Sequence, residues 1–234
     1  MRTVKYSYKF IFPDGKGKVF DIALNSRTMG LATEKLSANP PWTKLSFCKC
    51  ESCPLDENKH KYCPAALSMV PLIDFCKDMP ATQHARVSVE SPDRTYTKNV
   101  SLQEGLSSLV GIYMVTGGCP VLALLKTMVR FHLPFAAMEE TAYRVFSMYM
   151  LAQYFLAKKG FTPDWKMEKL PNIYRAISAV NSGFCERLRS VAASDSSVNA
   201  VIILDALGSF IELSIKRNAM QDIEEWFSVE DWNK

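Results

Sequence analysis

The stretch TYTKNVSLQEGLSSLVGIYMVTGG, residues 95–118, contains the change of pattern that decides the fold. Its first six residues are typical of a β-strand. From Ser101 onward the apolar residues recur at a spacing near 3.6, and Ser101 with Glu104 matches the S-x-x-E capping box that begins a helix. Gly117 and Gly118 are expected to end that helix. We therefore predict an α+β protein, in which an N-terminal antiparallel sheet with a cysteine-rich loop packs on a C-terminal helical bundle.

Alternating apolar residues predict the strands, and apolar residues at helical spacing predict the helices. The predicted strands cover 3–12, 18–24, 45–47, 85–90 and 95–100, the first two and the last two as hairpins. The predicted helices cover 64–78, 101–116, 120–131, 134–159, 170–192, 198–217 and 220–226. We assign residues 1–100 to a sheet domain with the cysteine-rich loop and one helix, and residues 101–234 to a helical domain.

The segment CKCESCPLDENKHKYCPAA, residues 48–66, carries four of the seven cysteines. Cys50 and Cys53 are separated by two residues, as in the tight turns whose sulfurs bind one metal ion. Cys63 supplies a second arm, either with His60 three residues before it or with Cys48 as the fourth ligand. Zinc is the ion that we favour, and an iron–sulfur cluster suits four thiolates equally well. Reduced, unmetallated cysteines in a solvated loop, or disulfides, are the alternatives.

Composition indicates a globular protein of a reducing compartment. Of the 234 residues, 48% are hydrophobic and 22% charged, enough to build a core without a membrane span. The first ten residues lack the apolar block of a secretory signal, and an odd number of cysteines argues against a disulfide framework. We therefore expect a cytoplasmic location. The net charge of +4 is small and the basic residues are dispersed, which argues against a nucleic-acid partner.

Three blocks of the sequence resemble an uncharacterised bacterial protein family. They are C-x2-CPL with CPAA at residues 50–66, SLQEGLSSLVGIYMVTGGCPV at 101–121, and MVRFHLPFAAMEETAYRVFSMYMLAQYF at 128–155. The resemblance covers most of the chain and implies an architecture without an assigned activity. It also implies that Cys119, in the GGCP motif, matters more than Cys48 as the fourth ligand. From the residues alone, Cys119 begins a predicted helix and is a reactive thiol, a metal ligand or a small buried residue.

Two further features suggest other functions. His132, Glu139 and Glu140 cluster at a predicted helix junction and could form the pocket of an enzyme, although their spacing matches no metal-binding helix motif. The C-terminal segment carries Trp226, Phe227 and Trp232 among acidic residues, and it could dock on the protein's own core or on a protein partner.

No nucleotide-binding or hydrolase motif occurs in the sequence. We therefore favour a non-enzymatic protein whose cysteine loop binds zinc and orders an interaction surface. A redox or iron–sulfur protein that uses the same cysteines is the second hypothesis, and an enzyme is the third.

Overall fold

The computed structural model of the chain describes residues 2–32, 39–216, 221–225 and 227–228. It confirms the α+β fold. The described strands form one antiparallel sheet in the order β2-β1-β3-β4. They are β1 Thr3–Ile11, β2 Gly17–Asn25, β3 His84–Glu90 and β4 Thr95–Ser101. Both predicted hairpins are confirmed, because β1 pairs with β2 and β3 pairs with β4 in continuous register.

The helices follow the predicted order with shifted ends. They are α1 Pro64–Cys76, α2 Leu102–Thr116, α3 Lys126–Arg130, α4 Met138–Lys158, α5 Leu170–Arg189, α6 Ser196–Lys216 and α7 Gln221–Glu224. The single helix predicted over 120–131 is wrong, because a 3₁₀ turn at Leu122–Leu125 precedes α3. The break falls at Leu125, whose φ of −87° and ψ of 2° lie outside the α-helical region.

Residues 45–47 form no strand, which corrects the prediction of a fifth strand. The only ladder contact near them is an isolated antiparallel bridge between Lys44 and Tyr62 in the described part of the chain. Leu45 is nevertheless 2% exposed. Its apolar character reflects burial inside a loop, and a short apolar run does not distinguish that from pairing in a sheet.

One face of the sheet is covered by helices. Phe75 of α1 packs edge-on against Phe20, with 5.3 Å between the ring centroids. Gly105 of α2 lies so close to the sheet that a Cβ atom there would stand 2.9 Å from Cγ2 of Val87 and 3.0 Å from Cε1 of Phe10. Since both helices rest on the same strands, the ends of α1 and α2 are held by the core.

The chain divides into two compact units. The first contains Met1–Phe135 and Ala179–Leu204, and therefore the sheet and all seven cysteines. The second contains Ala136–Ser178 and Asp205–Lys234. Within the described residues, no helix has the length and apolar character that a membrane crossing requires. Of the aromatic residues noted near the C-terminus, Trp226 and Trp232 lie outside the described residues, and Phe227 is exposed.

Candidate metal centre

The cysteine loop, residues 44–62, is closed at its base by backbone hydrogen bonds. The Leu45 amide donates to the Lys61 carbonyl at 3.0 Å, and the Cys63 amide donates to the Thr43 carbonyl at 2.8 Å. These two bonds hold both ends of the loop side by side, so that the loop returns to its starting point just before α1. The fold thus places residues 50, 53 and 63 in one region of the first unit.

Cys50 and Cys53 are joined by a tight turn, as their spacing predicts. The Cys53 amide donates to the Cys50 carbonyl at 3.0 Å. The Cys50 thiol donates to the Val180 carbonyl of α5, with 3.8 Å between sulfur and oxygen. A Cβ atom at Gly183, one helical turn further along α5, would stand 2.9 Å from the Cys50 sulfur. A glycine is therefore required at this position for Cys50 to lie where it does.

Cys63 is the residue immediately before α1. Its sulfur makes no capping hydrogen bond, but the nearby backbone amides of Ala65 and Ala66 act to lower the pKa of the thiol. Its side chain is buried, at 8% exposure. Such a helix start favours a thiolate, because its free amides and its dipole both stabilise negative charge.

The end of α2, which directly precedes Gly117–Cys119, packs on the start of α1, which directly follows Cys63. Ser68 of α1 donates its hydroxyl hydrogen to the Tyr113 carbonyl of α2, at 3.0 Å. Gly118 has a φ of +104°, a conformation that favours glycine, and a Cβ atom there would stand 3.2 Å from Cβ of Pro64. The two glycines predicted to end the helix thus also allow this close approach, which sets the next residue, Cys119, beside the first turn of α1.

The Cys119 sulfur resembles that of Cys63 in its surroundings. The backbone amides of Val121 and Leu122, at the beginning of the 3₁₀ turn, act to lower the pKa of its thiol. Both sulfurs therefore lie against free amide groups at the start of a helical segment. The chain supplies this arrangement twice, from two segments that are more than fifty residues apart in sequence.

The electrostatics of the thiols show that the four cysteines share one region. Burial raises the pKa of Cys50 to about 12, and repulsion from negative charge at Cys63, Cys53 and Cys119 raises it further. Burial also raises the pKa values of Cys63 and Cys119, although the backbone amides at their sulfurs lower them. Each of these three thiols is within electrostatic range of Cys53. Loss of their protons is therefore unfavourable unless a cation is present.

The thiols share a region without forming a closed coordination shell. Among the described residues there is no group of three or more histidine, cysteine, aspartate or glutamate side chains that could hold a metal ion. All seven cysteines are free, so no disulfide joins any two of them. Ligation of one ion would require the thiols to draw together.

The other two predicted ligands have different surroundings. Cys48 has a φ of +49°, and its backbone carbonyl accepts a hydrogen bond from the side chain of Arg187 at 3.2 Å. His60 is exposed at the tip of the cysteine loop, where its amide donates to the Asp56 carbonyl. Their roles as ligands stay predictions.

The residues of the predicted enzyme pocket fall in different units. In the first unit, Nε2 of His132 hydrogen-bonds with the buried hydroxyl of Tyr8. In the second unit, the Glu140 carboxylate accepts a hydrogen bond from the Ala137 amide at 2.7 Å, at the start of α4, and Glu139 is exposed. Capping of a helix start is a structural role for Glu140. The enzyme hypothesis stays a prediction.

Sequence reasoning missed two residues of this region, Gly183 and Arg187. Both lie on α5, far from the cysteine loop in sequence, and on the face that also presents Val180. A glycine inside an otherwise regular helix was the available signal in the sequence, since the burial of Arg187 is visible only in the structure. Neither residue identifies its partner, because the partner is set by tertiary packing.

A family model described as Domain of unknown function (DUF6901) matches residues 5–228. The chain belongs to the DUF6901 family. No curated protein and no solved structure matches it significantly. The family assignment confirms the predicted resemblance to an uncharacterised family, and it carries no activity over to the site described above.

Proposed function

We propose that Cys50, Cys53, Cys63 and Cys119 bind one zinc ion, and that the bound ion orders the cysteine loop as an interaction surface for a protein partner. The observation that supports this most directly is the packing of the end of α2 on the start of α1. The cysteine of the GGCP motif directly follows this packed end, and it lies within electrostatic range of Cys63 and Cys53. Three separate segments of the chain would then be joined at one ion.

The chemistry of the donors favours zinc in a structural role. Four cysteines form the closed, tetrahedral set typical of structural zinc sites, with no position left for water or substrate. The amides at Cys63 and Cys119 would share the negative charge of the thiolates. Such a site contributes binding free energy to folding and performs no catalysis, which is consistent with a non-enzymatic protein.

The surface that the ion would order is the tip of the cysteine loop. Residues 56–61 are exposed and carry both acidic and basic side chains. A polar segment of this kind buries too little apolar surface to hold one conformation by itself. Fixed at its base by metal, it would present a defined set of charges to a protein partner. A cytoplasmic location, where thiols stay reduced, is part of the same proposal.

An iron–sulfur or redox protein is the second candidate. It is favoured by the same donor set, since four cysteines without histidine serve an iron–sulfur cluster as well as zinc. The metal itself distinguishes the two, because a cluster absorbs visible light and zinc does not.

The test is metal analysis of the full chain, purified without chelators, together with its visible spectrum. We expect a colourless protein with about one zinc per chain. Cys53→Ser and Cys119→Ser should each lose the metal, whereas the matched controls Cys48→Ser and Cys76→Ser should keep it. Cys76 is a suitable control because it is buried in α1, and its backbone carbonyl accepts a hydrogen bond from Ser196.

Three outcomes would overturn this proposal. A brown protein containing iron would replace zinc with the second candidate. A Cys119→Ser variant with full zinc content would show that the fourth ligand is another residue. A freshly purified chain that neither contains nor takes up a metal would remove the site altogether.

A further inference from the structure

Arg187 of α5 is a buried cation that holds the cysteine loop. It is 1% exposed. Its guanidinium donates to the backbone carbonyls of Trp42 and Lys44, the latter at 2.9 Å, and to that of Cys48 at 3.2 Å. The carbon of the guanidinium also lies 5.7 Å from the centre of the Phe47 ring. One side chain thus contacts four residues over one short stretch of chain.

Among the residues that the structure describes, the positive charge of Arg187 has no carboxylate partner. Within the described ranges 2–32, 39–216, 221–225 and 227–228, no aspartate or glutamate lies within salt-bridge distance of it. Its Nε atom is buried and makes no hydrogen bond there. Carbonyl oxygens carry only partial charges, so they offset a buried guanidinium incompletely. A buried charge of this kind is normally accompanied by an opposite one.

A thiol that is negative when ionised, that of Cys50, lies on the face of α5 that carries Arg187. The Arg187 guanidinium is within electrostatic range of Cys50 and of Cys63. The same face of α5 contacts Cys50 directly, through the Val180 carbonyl and the space left at Gly183. One face of α5 therefore contacts the cysteine loop through Arg187 and contacts Cys50 through Val180 and Gly183.

We infer that Arg187 is a positioning residue of the proposed metal centre, where its buried charge offsets the negative charge of the metal-bound thiolates. This inference rests on the function proposed above. Four thiolates outweigh the two positive charges of a zinc ion, so the occupied centre would be anionic in a region of low dielectric. Arg187 would stabilise the occupied centre more than the empty one, as residues around a metal site do when they act on its ligands.

The test compares Arg187→Gln with Arg187→Lys in the full chain. Glutamine keeps an amide donor for the loop carbonyls but has no charge, whereas lysine keeps the charge but loses the forked set of donors. Zinc affinity is measured by competition with a chelator, and thermal unfolding is followed with and without zinc. The thiolate-to-metal absorption of the cobalt-substituted protein reports the number of sulfur ligands. Arg189→Met, an exposed arginine on the same helix, is the control.

We expect Arg187→Gln to weaken zinc binding by roughly tenfold or more, and Arg187→Lys to weaken it less. The stabilisation conferred by zinc should fall in the same order, with the cobalt absorption unchanged. If both variants lose stability equally with and without zinc while their affinities match the wild type, Arg187 is merely structural and the inference fails. A wild-type chain that binds no zinc overturns the proposed function and this inference together. A weaker zinc affinity of Arg187→Lys, with the zinc affinity of Arg187→Gln unchanged, would also overturn the inference.

Discussion

Two loops of the molecule are each held by one charged side chain, and they differ in where that side chain comes from. In the first unit, Arg187 donates to two carbonyls of the cysteine loop and to that of Trp42 just before it, which are 139 to 145 residues away in sequence. In the second unit, Asp164 accepts hydrogen bonds from the Tyr149 hydroxyl, at 2.7 Å, and from the Glu168 and Lys169 amides, all within 15 residues. The hydrogen bonds of Asp164 join residues that are close in sequence, so they depend only on local structure. Those of Arg187 form only when the fold of the first unit has brought distant residues together.

The largest expected effect is that of Arg187→Met in protein kept free of metal. The substitution removes the guanidinium and leaves the carbonyls of Trp42, Lys44 and Cys48 without their hydrogen-bond donor. A buried carbonyl without a donor destabilises the fold. We expect the free energy of unfolding to fall by about 3 to 5 kcal/mol, measured by urea denaturation. Arg189→Met should change it by less than about 0.5 kcal/mol, as is usual for exposed positions. Equal effects of the two substitutions would show that the hydrogen bonds of Arg187 do not stabilise the fold.

An intermediate effect is expected from Gly183→Ala, which tests the contact between α5 and Cys50. A methyl group would stand 2.9 Å from the Cys50 sulfur and 3.2 Å from its Cα atom, so the loop must shift. The destabilisation from overpacking exceeds the stabilisation from the higher helix propensity of alanine. We therefore expect the free energy of unfolding to fall by about 1 to 2 kcal/mol and zinc binding to weaken.

Gly208→Ala is the matched control for this substitution, since a methyl group there meets the Tyr174 ring at an ordinary distance of 3.5 Å. It should be neutral or stabilise the protein by up to about 1 kcal/mol. Stabilisation by both substitutions would mean that Cys50 does not need the space at Gly183.

The smallest effect is expected from Asp164→Asn in the second unit. Burial raises the pKa of Asp164, but the hydrogen bonds from Tyr149 and from the Lys169 and Glu168 amides outweigh it, so that the pKa is lowered. A lowered pKa in the folded state means that the carboxylate stabilises the fold above its unfolded pKa of about 3.9, and that this contribution is lost as the pH falls further. With the exposure of the turn allowed for, we expect a loss of about 0.5 to 1 kcal/mol at neutral pH.

The pH dependence separates this effect from general damage. The difference in unfolding free energy between wild type and Asp164→Asn should shrink as the pH falls below about 4 and through the lowered pKa of folded Asp164, because both side chains are then neutral. Glu168→Gln, which keeps the backbone amide used by Asp164, serves as the control and should show no such trend. A difference that persists unchanged at low pH would contradict the role of the carboxylate.

Local patterns were sufficient for most of the regular structure. The alternation in residues 3–12 predicted β1, and all of its alternate apolar residues from Val4 to Phe12 are buried. The helix start at Ser101 was also predictable, since the Glu104 carboxylate accepts a hydrogen bond from the Ser101 amide at 3.0 Å. The predicted strand at 45–47 failed because burial in a loop produces the same short apolar run as burial in a sheet.

The candidate site was predictable only in part. The C-x2-C spacing of Cys50 and Cys53 determines their turn, because two intervening residues suffice to reverse the chain. The sequence by itself therefore determined the elements, their order and this local pair. Only the tertiary structure decided that Cys119 lies beside Cys63, and that Gly183 and Arg187 face the cysteine loop. These proximities depend on how α1, α2 and α5 pack, and residues far apart in sequence are brought together only by burial of a shared core.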